Sequence, residues 1–157
     1  MTSILFVCTG NICRSPTAHW VMEHLAQKSI TPLKIDSCGT HAYHVGEKAD
    51  SRSSQIAKRR GIDMAAHKAR KFDISDYYEF DLILAMDESH YDFIQRGKPH
   101  NSTAKIALFL EHAGLGKKDV TDPYYGGIDG FEKVFDLIQN ACAKILDNYK
   151  GSNTLTA

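Results

Sequence analysis

Cys8 and Arg14, separated by five residues in the stretch Cys8-Thr9-Gly10-Asn11-Ile12-Cys13-Arg14-Ser15, are the residues best placed to do chemistry. A thiol and a guanidinium at the two ends of a short loop make one device. The guanidinium offers a planar fork of donors that matches two oxygens of a phosphate. A cysteine near that charge and near a helix N-terminus favours the thiolate, which is the nucleophilic form. The donors that hold an incoming phosphoryl group would also stabilise the charge that grows on it in the transition state. Thr9, Gly10, Asn11, Ile12, Cys13 and Ser15 form the rest of the cradle. Gly10 supplies backbone freedom there, and Asn11 tolerates a left-handed conformation. The loop is neither Gly-x-x-x-x-Gly-Lys-Ser/Thr nor Gly-x-Gly-x-x-Gly, so nothing in it points to a nucleoside triphosphate or a dinucleotide.

A bare Cys-x5-Arg is a weak signal, and the elements around it give it force. Ile4-Leu5-Phe6-Val7 is β-branched and aromatic with apolar residues on both faces, the pattern of a buried parallel strand. Ser15 reads as an N-cap and Pro16 as the first residue of a helix whose apolar stripe is Ala18, Val21, Met22 and Leu25. A loop between a strand and a helix N-terminus aims backbone N–H groups at a common point, an anion site. Further strands are expected at residues 33–37 and 80–86. Residues 104–110 read as a strand or as a strand running into a short helix. Helices are expected at residues 52–60, stopped by Gly61, after Asp87-Glu88-Ser89, and from Asp129 to Tyr149 with an Asp129/Glu132 capping box. Alternating strands and helices argue for one α/β domain over residues 1–150, Rossmann-like, with a four-stranded parallel sheet and helices on both faces. Ligands in such sheets bind beyond the carboxyl ends of the strands. Residues 151–157 read as a flexible tail.

Bulk properties narrow the function further. The 157 residues contain 19 basic and 19 acidic side chains, so no nucleic-acid or polybasic membrane partner is expected. No apolar run is long enough for a membrane helix, and the N-terminus lacks the basic region of a signal peptide. A cytoplasmic location is therefore expected. Cys8, Cys13, Cys38 and Cys142 read as free thiols rather than a disulfide framework. They lack zinc-site spacing, and no metal or other cofactor is expected.

Val7-Cys8-Thr9-Gly10-Asn11-Ile12-Cys13-Arg14-Ser15-Pro16 resembles the active-site signature of the low-molecular-weight protein tyrosine phosphatases. Residues 36–40, 61–63 with His67, 80–89, and Asp122-Pro123-Tyr124-Tyr125-Gly126 resemble further family segments in the family's order. The resemblance implies the family's phosphatase I-like fold and hydrolysis of phosphotyrosine and small aryl phosphates through a phosphocysteine on Cys8. It also implies phosphate binding by Arg14 and the loop amides, and Asp122 as general acid and then base. Asn11, Ser15, Ser37 and His67 would fix the loop, with Tyr43, Tyr124 and Tyr125 as cleft walls. Cys13 would form a reversible disulfide with Cys8. Phosphotyrosine proteins would be the partners, phosphate and vanadate the inhibitors, and the enzyme a monomer or weak dimer. The chemistry of Asp122 fits, because a tyrosinate leaving group, with a conjugate acid of pKa about 10, departs more easily when protonated.

Some positions depart from the pattern, and some relatives compete. His19 and Trp20 stand where many members carry an acidic and a smaller apolar residue, and only packing or surface is expected to change there. Cys38 reads as a small core residue. Arsenate reductases share the anion loop but need further cysteines, and none lies between Cys38 and Cys142. Phosphoarginine phosphatases tend to have Thr at the place of Ile12 and to lack the paired tyrosines. Sugar-transport phosphocarriers lack the arginine. A phosphotyrosine-binding module without turnover is the reading from another class. The remaining histidines, including His41, His44 and His90, read as surface or satisfied structural residues.

Overall fold

A computed structural model describes residues 1–123 and 127–152. Strand β1 (Thr2–Cys8) leads into helix α1 (Arg14–Lys28), then β2 (Leu33–Gly39), α2 (Ser51–Arg59), the single turn α3 (Asp76–Glu79) and β3 (Leu82–Ala85). Helix α4 (Glu88–Gly97), β4 (Lys105–Leu108), α5 (Phe109–His112) and the long α6 (Gly127–Ser152) complete the chain. All strands are parallel, in the order β2-β1-β3-β4. Ile4 is level with Ile35 on one side and Leu82 on the other.

The central position of β1 explains its composition. Ile4, Leu5, Phe6 and Val7 have no solvent exposure, because both faces of the strand are covered. Ile4 and Phe6 belong to a core built with α1, α2, α5 and α6, where the Phe109 ring meets Phe6 edge-on at 5.7 Å. Leu5 and Val7 point to the other face, into a smaller core with Tyr77, Phe80 and Ile94 from α3, its C-cap and α4. The chain leaves β1 toward β2 through α1 and leaves β3 toward β4 through α4. The strand order therefore reverses between β1 and β3, and a crevice opens at their carboxyl ends. Cys8 ends β1 at that crevice, and Asp87, the N-cap of α4, lies two residues after β3.

Three local expectations differ from the structure. Helix α1 begins at Arg14, with Cys13 as an N-cap that makes no side-chain capping bond, so Ser15 is not the cap and Pro16 is the third helical residue. Proline is tolerated there because the first N–H groups of a helix lack helical partners anyway. Helix α6 begins at Gly127, which puts Asp129 inside its first turn instead of at a cap. It also continues through Gly151 and Ser152, into the stretch read as tail; residues 153–157 lie outside the described residues. Residues 104–110 follow the strand-into-short-helix reading. Among the described residues, no helix is long and apolar enough to cross a membrane.

Candidate active site

The loop between β1 and α1 is held by its carbonyl oxygens. Cys8 O accepts from the Thr40 amide (2.9 Å), Thr9 O from the His41 amide (3.0 Å) and Ile12 O from the Asp50 amide (2.8 Å). Asn11 O accepts from His67 Nε2 (2.8 Å), and Cys13 O from the amide and hydroxyl of Thr17. With the carbonyls turned outward, the amides of residues 10–13 donate to no acceptor among the described residues. They are the donors an anion would meet, next to the first turn of α1.

Two residues make that shape possible. Asn11 is in the left-handed region (φ 59°), and its side chain is tied at both ends, donating to Ser15 Oγ (2.8 Å) and accepting from the Arg70 amide (3.0 Å). Gly39, the last residue of β2, lets the loop lie directly on the strand. A Cβ there would stand 2.5 Å from Thr9 O and 3.2 Å from Asn11 N.

Cys8 Sγ lies 2.9 Å from Ser15 Oγ. The hydroxyl has one hydrogen and two acceptors within reach, the Cys8 sulfur and the Cys38 carbonyl (3.3 Å). With Asn11 donating to its oxygen, Ser15 is free to direct its hydrogen to the sulfur whenever that sulfur carries charge. Arg14 is buried. Its Nη1 donates to Asp87 Oδ2 (2.9 Å) and Val120 O (3.0 Å), and its Nη2 lies 3.7 Å from Asp122 Oδ2. Asp87 thus fixes one edge of the guanidinium. Burial opposes ionisation of Asp87, but hydrogen bonds from Ser89, His90 and Arg14 hold its carboxyl below the usual range. Removing Asp87 would take away the nearer of the two carboxylates beside the buried Arg14 guanidinium and leave Asp122 as its ion-pair partner.

Histidines brace the loop from two sides. His90, buried at the start of α4, has Nε2 2.8 Å from Thr9 Oγ1, while its Nδ1 accepts from the Asp87 amide (3.2 Å) in a capping box. Burial lowers its pKa to about 4, so it is neutral near pH 7. His67 supports Asn11 from the other side, and burial lowers its pKa as well. Ser37, expected beside the loop, turns its hydroxyl to His19 Nδ1 (2.8 Å). Burial, followed by the neighbouring Asp50 carboxylate, pushes the Cys13 thiol well up, and burial does the same for Cys38 and Cys142. All four cysteines are free.

These groups surround a cavity of about 300 Å³. Cys8, Thr9, Gly10, Ile12, Cys13 and Arg14 line its floor, and Tyr43, His44 and Asp122 its rim. Tyr43 is 71% exposed and stacks on His41 at 5.1 Å, with Phe93 6.2 Å beyond, so an aromatic wall rises on one side. Tyr124 and Tyr125, expected on the opposite wall, lie outside the described residues. Among the described residues, no group of three or more His, Cys, Asp and Glu could hold a metal ion.

Residues 3–154 match the family model described as low molecular weight phosphotyrosine protein phosphatase. The chain belongs to this family. A relative from Schizosaccharomyces pombe, named low molecular weight phosphotyrosine protein phosphatase, is 49% identical over 132 residues, covering 82% of this chain and 84% of the relative. Among solved structures, a protein tyrosine phosphatase from Entamoeba histolytica superposes with a TM-score of 0.89 at 35% identity, covering 98% of this chain and 100% of the other. A Drosophila arginine phosphatase superposes with a TM-score of 0.88 at 33% identity, covering 96% and 98%.

Within this phosphatase-family chain, several residues at the site escaped the sequence reading. Asp87 was legible as the start of a helix but not as the partner of Arg14. Its signal was its place just beyond β3, on the edge of the crevice. Gly39 carried the mark of a glycine at a strand end, where another backbone often comes close. His90 and Trp20 carried no signal that spacing could reveal.

Proposed function

We propose that this protein hydrolyses phosphotyrosine in proteins, and small aryl phosphates, through a phosphocysteine on Cys8. The observation that carries the reading is the convergence of Cys8, Arg14 and Asp122 on one cavity whose loop amides have no other acceptor among the described residues. The phosphoryl oxygens bind those amides and Arg14. The Cys8 sulfur attacks phosphorus, the bond to the tyrosine oxygen breaks, and Asp122 gives its proton to that oxygen. Water then attacks the phosphocysteine while Asp122 takes a proton from it. The S–P bond breaks, and inorganic phosphate leaves with the Cys8 thiolate restored. Ser15, 2.9 Å from the sulfur, donates to that thiolate as it departs. Cys38 and Cys142 are held as thiols by burial and do not line the cavity, which supports Cys8 over them as the nucleophile.

The similarity to an arginine phosphatase supports a second reading, hydrolysis of phosphoarginine. Ile12 and the Tyr43–His41 wall favour an aromatic leaving group. Phosphate release from matched phosphotyrosine, phosphoserine and phosphoarginine peptides tests both. Turnover is expected on phosphotyrosine, with little on the other two. Preference for phosphoarginine would replace the substrate assignment and keep the loop chemistry.

The packing of Gly39 under the loop gives a sharper expectation. In Gly39→Ala the added Cβ must push the Thr9 carbonyl away, and a shift of about 1 Å in a reacting group costs about 10²-fold in rate. A kcat/KM within threefold of wild type would show that the loop does not depend on this contact. Cys13 lines the same cavity as Cys8, which supports the reversible disulfide. Peroxide would oxidise Cys8 to a sulfenic acid, and attack by the Cys13 sulfur would expel water and form the bond. A dithiol should restore wild-type activity after peroxide treatment but not that of Cys13→Ser. Equal recovery of both proteins would remove Cys13 from that role.

A further inference from the structure

Trp20 projects from α1 toward the back of the phosphate loop, and the reaction described above makes no use of it. Its indole Nε1 lies 3.1 Å from His67 Nδ1, and His67 Nε2 lies 2.8 Å from the Asn11 carbonyl. We infer that Trp20 is a positioning residue, whose indole N–H holds His67 as the neutral Nε2–H tautomer that clamps Asn11 and, through it, the phosphate loop. The inference rests on the reading of that loop as a phosphoryl-transfer site.

The chemistry of the two end groups determines the proton on the ring between them. An indole N–H only donates and a carbonyl oxygen only accepts. Nδ1 must therefore be bare and Nε2 must carry the hydrogen. The other tautomer would turn a lone pair on the Asn11 carbonyl and set two N–H groups against each other at Trp20. The imidazolium would keep the bond to Asn11 but lose the one from Trp20. Trp20 is itself held in place. Its ring stacks on His19 at 4.4 Å with 13° between the planes, and His19 Nδ1 is fixed by Ser37 Oγ at 2.8 Å.

The clamp acts on the most constrained residue of the loop. Asn11 has φ 59°, donates to Ser15 and accepts from the Arg70 amide, and Ser15 in turn contacts the Cys8 sulfur. Orienting the Asn11 carbonyl outward turns the neighbouring amides toward the anion. Hydrogen bonds thus link Trp20 through His67 to the Asn11 main chain, and the Asn11 side chain through Ser15 to Cys8.

The groups facing His67 are few. From α1 come Trp20 and His19, whose rings lie 6.4 and 6.2 Å away, from β2 the Asp36 carboxylate, and from the loop Asn11. Burial lowers the His67 pKa, against the Asn11 carbonyl and Asp36, which favour the protonated ring.

The experiment uses 15N-labelled full-length protein and long-range proton–nitrogen NMR of the His67 ring, with Trp20→Phe as the variant. Phenylalanine keeps an aromatic ring against His19 and lacks only the N–H. In wild type near neutral pH, Nδ1 is expected bare and Nε2 protonated. In Trp20→Phe the pKa of His67 is expected to rise by about one unit, the effect of losing one hydrogen bond to the neutral form. The Asn11 and Ile12 amide signals should shift along the same titration. Trp20 is the sole tryptophan, so its fluorescence gives a second readout. An imidazolium quenches indole emission, and the acid-induced drop assigned to His67 should vanish in His67→Gln, which leaves only the titration of the stacked His19. A proton on Nδ1 in wild type, an unmoved His67 titration in Trp20→Phe, or the same fluorescence titration in His67→Gln as in wild type would each overturn the inference. If Trp20→Phe does not fold, the wild-type tautomer and the His67→Gln fluorescence decide. None of these readouts needs turnover, so failure to hydrolyse phosphotyrosine would refute the proposed function and leave this test intact.

Discussion

Replacing Cys8 by serine is expected to lower kcat on a phosphotyrosine peptide by about four orders of magnitude or more, the scale seen when a covalent nucleophile is removed from a site that is otherwise complete. The hydroxyl introduced by Cys8→Ser would occupy nearly the volume of the thiol, and the outward-turned carbonyls that shape the loop would keep their partners. The anion site should therefore survive. Inorganic phosphate and vanadate should still bind Cys8→Ser, while turnover disappears. This combination separates loss of the nucleophile from collapse of the cradle. Turnover within tenfold of wild type would mean that the sulfur does not attack phosphorus, and loss of phosphate binding along with activity would mean that the variant had lost the loop.

Asp122→Ala should show the second largest effect, and the effect should depend on the leaving group. A positioned general acid contributes about 10²–10⁴-fold. The whole of that factor is needed for tyrosinate, which leaves poorly without a proton, and little of it for a nitrophenolate, which is stable as an anion near neutral pH. Asp122 sits at the rim of the cavity with its carboxylate 3.7 Å from Arg14 Nη2, close to where a phosphate oxygen on the guanidinium would be. Formation of phosphocysteine from nitrophenyl phosphate should thus remain fast in Asp122→Ala, while its hydrolysis, which needs Asp122 as base, slows. Equal losses for both substrates in the rate of phosphocysteine formation, read as the first burst of leaving group, would remove Asp122 from the acid role.

The site divides into parts that were legible in the sequence and parts that were not, and the division follows distance along the chain. Cys8, Gly10, Asn11 and Arg14 lie within one turn of chain between a strand and a helix, so their spacing carried the geometry. The alternation of strands and helices likewise gave the parallel sheet and the crevice at the end of β1. Asp87 reaches Arg14 across 73 residues, His90 reaches Thr9 across 81 and Val120 reaches Arg14 across 106. Nothing local marks such pairs, because the sheet order brings them together. Ser15 was misread for a related reason. Its type suits an N-cap, but the tertiary environment offers its hydroxyl Asn11, Cys8 and the Cys38 carbonyl, and the helix starts two residues earlier than expected, without a side-chain cap. Trp20 read as a change of surface or packing, whereas its N–H bonds to His67, whose Nε2 lies against the Asn11 carbonyl.

The central claim is the covalent intermediate, and Asp122→Ala gives the best chance of catching it. Acid quench of that variant during turnover of nitrophenyl phosphate, followed by mass spectrometry of its proteolytic peptides, reads the phosphoryl group directly. A phosphoryl group on the peptide that contains Cys8, absent when Cys8 is also replaced by serine, is the predicted result. Continued release of nitrophenol with no phosphorylated enzyme, or with the phosphoryl group on a different residue, would contradict the account.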